Sequence, residues 1–459
     1  MWTRAATAAE LRALTRVVWP IVVTQLSQMG MGVADTMMAG RVSAADLAGV
    51  TLGGNLYWPS MLLLSGIVMS ITPSVSQLHG GGRTGESGEV VRQALWIALV
   101  GGAVTTWLLH NAEPVYHLIG VDPVAIPIAA AYLAALSTGL LPLLGYMALR
   151  NLCDGLSWTL PAMCIGLSGL VLKVPLNALF IYGNESLGIA PMGGVGCGWA
   201  TALVMFYQLA AMTTVVAFSR VRMARLFARF SWPDRREILR LVRLGVPIGI
   251  TMFVEVGFFS VVGLSIGALG VVQVASHQIA FNVAGIAFMV PLALGVGATI
   301  RVGTNIGAGR IDGARLAGAV AMGVVGAWSL VSAALILSLR QGVSELFSSD
   351  PAVIQVASAL MVLGALFQFF DGAQVGAIGT LRGYKDTRAP AAIGVVAYWC
   401  IGLPVGAALC YGMGSLPELG VSGYWWGVVI GLGIAATLLL IRLYRLSADS
   451  DRIAAFSTR

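Results

Sequence analysis

Along the chain, apolar residues come in runs of about 20, the helical length that crosses a bilayer, separated by short breaks rich in Gly, Arg, Asp and Ser. The runs predict spans near 14–36, 46–72, 92–111, 124–150, 158–182 and 194–218. A second set follows near 241–268, 276–300, 317–338, 353–380, 391–413 and 421–444. Barrel strands would be shorter and would alternate apolar with polar positions, so the spans are read as helices. The predicted fold class is an all-α polytopic membrane protein with twelve transmembrane helices.

Composition agrees. Of 459 residues, 58% are hydrophobic and 10% charged, against roughly 25% charged in a soluble domain, and mean hydropathy is +0.86. Twelve spans and their loops use up the chain and leave no room for a large soluble domain. The net charge of +7 could suggest nucleic acid, but its placement speaks for topology. Of the 27 Lys and Arg, all but Arg41, Arg340 and the intraspan Lys173 fall at the two ends or in the even-numbered loops. By the positive-inside rule both termini are cytoplasmic, and no nucleic-acid partner is expected. Five cysteines, Cys153, Cys164, Cys197, Cys400 and Cys410, lie in or beside spans without a CxxC pair, so neither a disulfide nor a zinc site is expected. The first 13 residues are too polar for a signal-peptide core, and the first span is expected to be retained.

The chain repeats itself. An offset of 227 residues aligns Pro20 with Pro247, Asn55 with Asn282, and Gly80, Gly82 and Arg83 with Gly307, Gly309 and Arg310. Slightly larger offsets pair Asp122-Pro123 with Asp350-Pro351 and Pro175 with Pro404. This predicts an N-terminal six-helix bundle at 1–218, a basic cytoplasmic linker at 219–240, a C-terminal six-helix bundle at 241–444 and a cytoplasmic tail at 445–459. Six is even, so the two six-helix bundles enter the membrane alike. They are expected to be related by a pseudo-twofold axis along the membrane normal, as in many carriers. Gly245/Gly249, Gly402/Gly406 and Gly427/Gly431 have the spacing for close helix contact.

A charge at a helix centre costs at least about 2.5–3.5 kcal/mol, so ionisable residues inside spans mark candidate sites. Four stand out: Asp35, Lys173, Glu255 and Asp371. A carboxylate withdrawn from water tends to take a proton or a cation, and a second one nearby strengthens that tendency. Glu255 and Asp371, on helices 7 and 10, are therefore the ion-coupling candidates, with Na⁺ as the metal they could hold. Asp35 on helix 1 joins them, with Lys173 or Asn177 of helix 5 as its partner; those two are four residues apart and share a face. Gln28 is the repeat mate of Glu255, so one half carries an amide where the other carries an acid. Gln278 and Asn282 add polar lining on helix 8. Phe259 and Phe288 lead a group of aromatics that would suit flat lipophilic cations.

Enzyme signatures are missing. The GxSxG at 263–267 lies in an apolar span rather than at a strand-to-helix elbow. No Walker lysine pattern, HExxH or EF-hand loop occurs, and the four histidines lack ligand spacing. The chain is expected not to be an enzyme and to need no cofactor, so an ion or substrate gradient must drive it.

Several long motifs, in order, resemble the multidrug and toxic compound extrusion (MATE) family and its bacterial NorM-like branch. They are VADTMMAG with Asp35, FVEVGFF with Glu255, SHQIAFN with Gln278 and FFDGAQVGAIGTLRGYKDTR with Asp371. The likeness runs from WPIVVTQLSQMG in helix 1 to GVSGYWWG in helix 12. The resemblance implies an antiporter that exports diverse, often cationic drugs or toxins in exchange for Na⁺ or H⁺. It implies cation coupling at Glu255 and Asp371, coupling or drug contact at Asp35, Gln28 and Gln278, and drug binding at Asp350 in an outward loop. Two departures stand out. Phe367 replaces a tyrosine of the family's cation site, and Ile181 stands where archaeal members carry an acid.

The expectation is a multi-pass, monomeric exporter of the bacterial inner membrane, surrounded by membrane lipids and working by alternating access. A lipid-linked saccharide flippase is the transporter alternative, but such carriers line their cavities with arginines. An intramembrane enzyme is the alternative from another class.

Overall fold

The computed structural model describes residues 3–414, 416–449 and 453. Of the tail expected at 445–459, all beyond Asp449 except Ile453 lies outside the described residues, Arg452 and Arg459 included.

Apart from short connecting segments, the described chain is helical. In order come α1 Arg4–Gly40, α2 Ala44–Met69, α3 Ile71–Gly80, α4 Ser87–His110, α5 Glu113–Leu118, α6 Ile126–Ser137, α7 Leu140–Gly155, α8 Leu160–Tyr182 and α9 Gly194–Phe218. Then follow α10 Arg235–Gly267, α11 Val271–Gly307, α12 Ile311–Phe347, α13 Pro351–Gly383, α14 Arg388–Gly394, α15 Leu403–Tyr411 and α16 Val421–Ala448. A π segment, Val395–Gly402, joins α14 to α15 within one span. Among the described residues 11 helices are long and apolar enough to cross a membrane, and the pair α6–α7 makes the twelfth when taken as one bent span. The protein is an all-helical, multi-pass membrane protein.

The bend of 42° between α6 and α7 has a local cause. Ser137 and Thr138 donate their hydroxyls to the Ala134 and Ala135 carbonyls at 2.9 and 2.7 Å, competing with the helical ladder. Helix α4 covers the break. His110 Nδ1 lies 3.1 Å from the Ser137 hydroxyl, and the Thr106 hydroxyl donates to the Ser137 carbonyl at 3.3 Å.

The chain forms two compact units, one from Trp19 to Gly249 and the other from the residues up to Val18 plus those from Ile250 onward. The divisions fall inside α1 and α10, close to the repeat-related Pro20 and Pro247.

In the first unit, Tyr57, Tyr146, Leu140 and Leu144 fill a core wrapped by α2, α4, α6, α7 and α9. The segment after α9 is seated on α4 rather than strung loosely. Arg92 donates to the Arg225 and Leu226 carbonyls at 2.9 and 2.6 Å, Trp96 Nε1 donates to the Ser231 carbonyl at 3.0 Å, and Gln93 Nε2 donates to the Trp232 carbonyl at 2.9 Å. Glu89 accepts from Arg92, Arg229, Ser231 and Gln93, so one carboxylate ties four side chains.

In the second unit, α11 and α13 approach backbone to backbone. A Cβ added at Gly379 would collide with the Gly295 backbone, and the Thr299 hydroxyl donates to the Gly379 carbonyl at 2.7 Å. Only glycine fits there. Gly379→Val is expected to cost about 1–3 kcal/mol by overpacking, read as a lower melting temperature of the purified protein. The start of α1 belongs to this unit: Arg301 of α11 forks onto Glu10, Nε to Oε1 at 2.7 Å and Nη2 to Oε2 at 2.6 Å.

Candidate functional site

Each unit carries its own charged cluster. In the Trp19–Gly249 unit, Asp35 of α1 meets both partners that spacing offered. The Lys173 ammonium lies 2.9 Å from Asp35 Oδ1, and Asn177 Nδ2 donates to the same oxygen at 2.8 Å. Two residues that sequence reading missed complete the cluster. The Thr201 hydroxyl of α9 reaches Asp35 Oδ2 at 3.3 Å and accepts from Lys173. The Cys197 carbonyl accepts from Thr201 at 2.7 Å and from Lys173 at 3.4 Å. A threonine and a cysteine in an apolar run carry no signal of their own; only their spacing of four, one helical turn, hints at a shared face. Lys173 and Asn177 are both 0% exposed. Gln28, on α1, is exposed and takes no part in the cluster.

In the other unit, Glu255 of α10 and Asp371 of α13 are linked through Tyr398, which meets Phe258 on one helix and Gln374 on the other. Asp371 is buried, and among the described residues its Oδ1 has no hydrogen-bond partner. Tyr398, in the π segment, bridges the two helices at this level. Its ring stacks on Phe258, three residues after Glu255, with centroids 5.2 Å apart. Its hydroxyl donates to the Gln374 side-chain oxygen, three residues after Asp371. The neighbouring Trp399 donates its indole N–H to the Val254 carbonyl at 3.1 Å. Tyr398, a residue with no distinguishing mark in the sequence, thus brings a hydroxyl to Gln374, one turn from Asp371.

Aromatic rings pack beside the carboxylates. Phe259 contacts Phe281 and Phe367, and Phe367 contacts Trp425, with centroids 5.5–6.3 Å apart. Phe288 is half-buried on α11. Gln278 is exposed one turn from Asn282 and donates to it at 3.2 Å. Asp350 stands apart from the pair. Its Oδ1 accepts from the Ala352 N–H at 2.9 Å and caps α13 ahead of Pro351, about 30 Å along that helix from Asp371 at 1.5 Å per residue. Its repeat mate Asp122 holds the Val124 N–H in the same way, at 2.9 Å.

Two clusters of buried, ionisable groups on membrane helices fit a carrier, and comparison supplies the family. The MatE family model matches residues 20–179 and 247–408, one stretch in each half of the repeat. The chain belongs to the MatE family. It is 44% identical over 442 residues to the multidrug resistance protein PmpM of Pseudomonas aeruginosa, covering 95% of this chain and 92% of that one. To the multidrug resistance protein MdtK of Yersinia pestis it is 41% identical over 436 residues, 95% of either chain. The MATE transporter VcmN of Vibrio cholerae, solved in a bent form, superposes with a TM-score of 0.85 over 97% of this chain and 98% of that one, at 17% identity. MatE proteins are a transporter family, and the matched stretches of this MatE chain include Asp35, Lys173, Asn177, Glu255 and Asp371.

Proposed function

We propose that this MatE protein is a multidrug efflux antiporter of the bacterial inner membrane, both termini cytoplasmic, exporting lipophilic and often cationic compounds in exchange for a cation. The observation that carries the reading is the buried Asp371 carboxylate, whose Oδ1 is an oxygen with no donor among the described residues, linked through Tyr398 and Phe258 to the helix of Glu255. Such an oxygen is costly unless a proton or ion comes to it. H⁺ is the coupling cation we favour, because one carboxylate suffices to hold it and a carboxylate withdrawn from water readily takes it up. Na⁺ is the second reading, favoured by the Tyr398 and Gln374 oxygens beside the pair.

In the cycle, the cation enters from outside and neutralises the pair, which favours release of the cationic drug. Its departure to the inside restores the negative charge. A ligand shifts an equilibrium only through its different affinity for two states, so competition for one charge state is sufficient coupling. Gln278, Asn282, Phe259 and Phe288, in the unit that holds Glu255 and Asp371, are the proposed substrate contacts, the aromatics through apolar and cation–π attraction. No enzymatic step is proposed.

Purified protein in proteoliposomes, loaded with a fluorescent lipophilic cation, tests the reading with Na⁺ and pH gradients imposed separately. An inward-directed H⁺ gradient alone should drive export. Export driven by Na⁺ alone selects the second reading, and export indifferent to both gradients refutes antiport.

A further inference from the structure

Lys173 is fully buried in α8, and its ammonium takes no part in the exchange proposed at Glu255 and Asp371. A lysine offers three N–H donors and no acceptor. Here each donor finds an oxygen: Asp35 Oδ1 at 2.9 Å, the Thr201 hydroxyl, and the Cys197 carbonyl at 3.4 Å. Carboxylate, hydroxyl and carbonyl oxygens are what a small hard cation takes as ligands, and no nitrogen is among them. A fourth oxygen stands ready. Asn177 commits its Nδ2 to Asp35, and its buried Oδ1 has no partner among the described residues.

We propose that the Lys173 ammonium is a tethered cation. It occupies an alkali-cation site built from Asp35, Asn177, Cys197 and Thr201 and keeps that site closed to free ions, so that ion exchange is left to Glu255 and Asp371. The tether explains why a free ion does not displace it. A group held on its own stem acts at an effective concentration that an ion from solution must match. Removing one partner of a buried pair leaves the other uncompensated, so Asp35 without Lys173 would draw in a replacement charge. The clause on ion exchange rests on the function proposed above. The occupancy of the oxygen cage does not, and the experiment reads the cage alone.

Full-length protein carrying Glu255→Gln and Asp371→Asn serves as the parent, so that those carboxylates are silent. It is compared with the same protein carrying Lys173→Ala, with NaCl replaced by choline chloride at constant ionic strength. Lys173→Ala should add about one bound radioactive Na⁺ per chain and a saturable rise in melting temperature of about 2–5 °C. Both gains should be absent from the parent and from Lys173→Arg, and adding Asp35→Asn should remove them. Asp35-dependent Na⁺ binding in the parent, or no gain on Lys173→Ala, overturns the proposal. Should Lys173→Ala fail to accumulate, Lys173→Gln takes its place. If both fail with NaCl present throughout, the proposal is also overturned, because the free ion should complete a cage shaped for a cation.

Discussion

Asparagine at position 371 is expected to lower cation-driven drug export by about 100-fold, near the upper end of coupling free energies of about 1–3 kcal/mol. Asp371 is the buried member of the pair and has a free acceptor oxygen, while Asn keeps the shape and cannot take up a proton. The protein should still fold, since the substitution removes a charge from an apolar place rather than stranding one. Two readouts separate loss of coupling from loss of the carrier. Drug binding to the purified variant should survive and lose its dependence on pH, and drug–drug counterflow without a gradient should persist. Glu255→Gln should behave alike. The double variant should be little worse than either single one, because residues that act as a unit are not additive. Full gradient-driven export by the double variant at normal expression would place the coupling elsewhere.

The second large effect concerns stability. Glu10 and Arg301 form a two-pronged pair with side-chain exposures of 10% and 20%. Breaking such a pair from one side leaves a charge with little water, so Glu10→Ala and Arg301→Ala are each expected to cost about 3–5 kcal/mol. Replacing both, as Glu10→Leu with Arg301→Met, should recover most of that loss. Thermal melts of the four proteins in one detergent give the cycle. Single variants as stable as the parent would show that water reaches the pair and that it contributes no more than a surface ion pair.

The existence of the helices was legible from hydropathy because a bilayer demands long apolar runs. Their ends were not. The predicted span 317–338 is α12, Ile311–Phe347, because a helix continues into its polar ends after its apolar stretch stops. The break at Ser137-Thr138-Gly139 depended on which carbonyls two hydroxyls reach. The candidate site divides in the same way. Asp35, Lys173, Glu255 and Asp371 were visible because charge is scarce in spans, and helical spacing alone proposed Lys173 and Asn177 as partners of Asp35. Thr201, Cys197, Gln374 and Tyr398 were not visible. Their residue types are ordinary in apolar helices, and only tertiary packing brings them to a carboxylate.

The π segment at Val395–Gly402 bears on how this helix can change over evolutionary time. A π turn holds more residues than an α turn, so such a stretch often marks one residue gained inside an ordinary helix. Deleting a single residue there, Val396 for example, would let the span close into continuous α-helix. The flanking α-helical stretches would keep their faces, because the π turn already absorbs the extra residue, and only the side chains within the segment would be re-aimed. Tyr398 and Trp399 could no longer hold both Gln374 and the Val254 carbonyl. This segment is therefore the place where the span can lose a residue and stay a helix, at the expense of these two contacts.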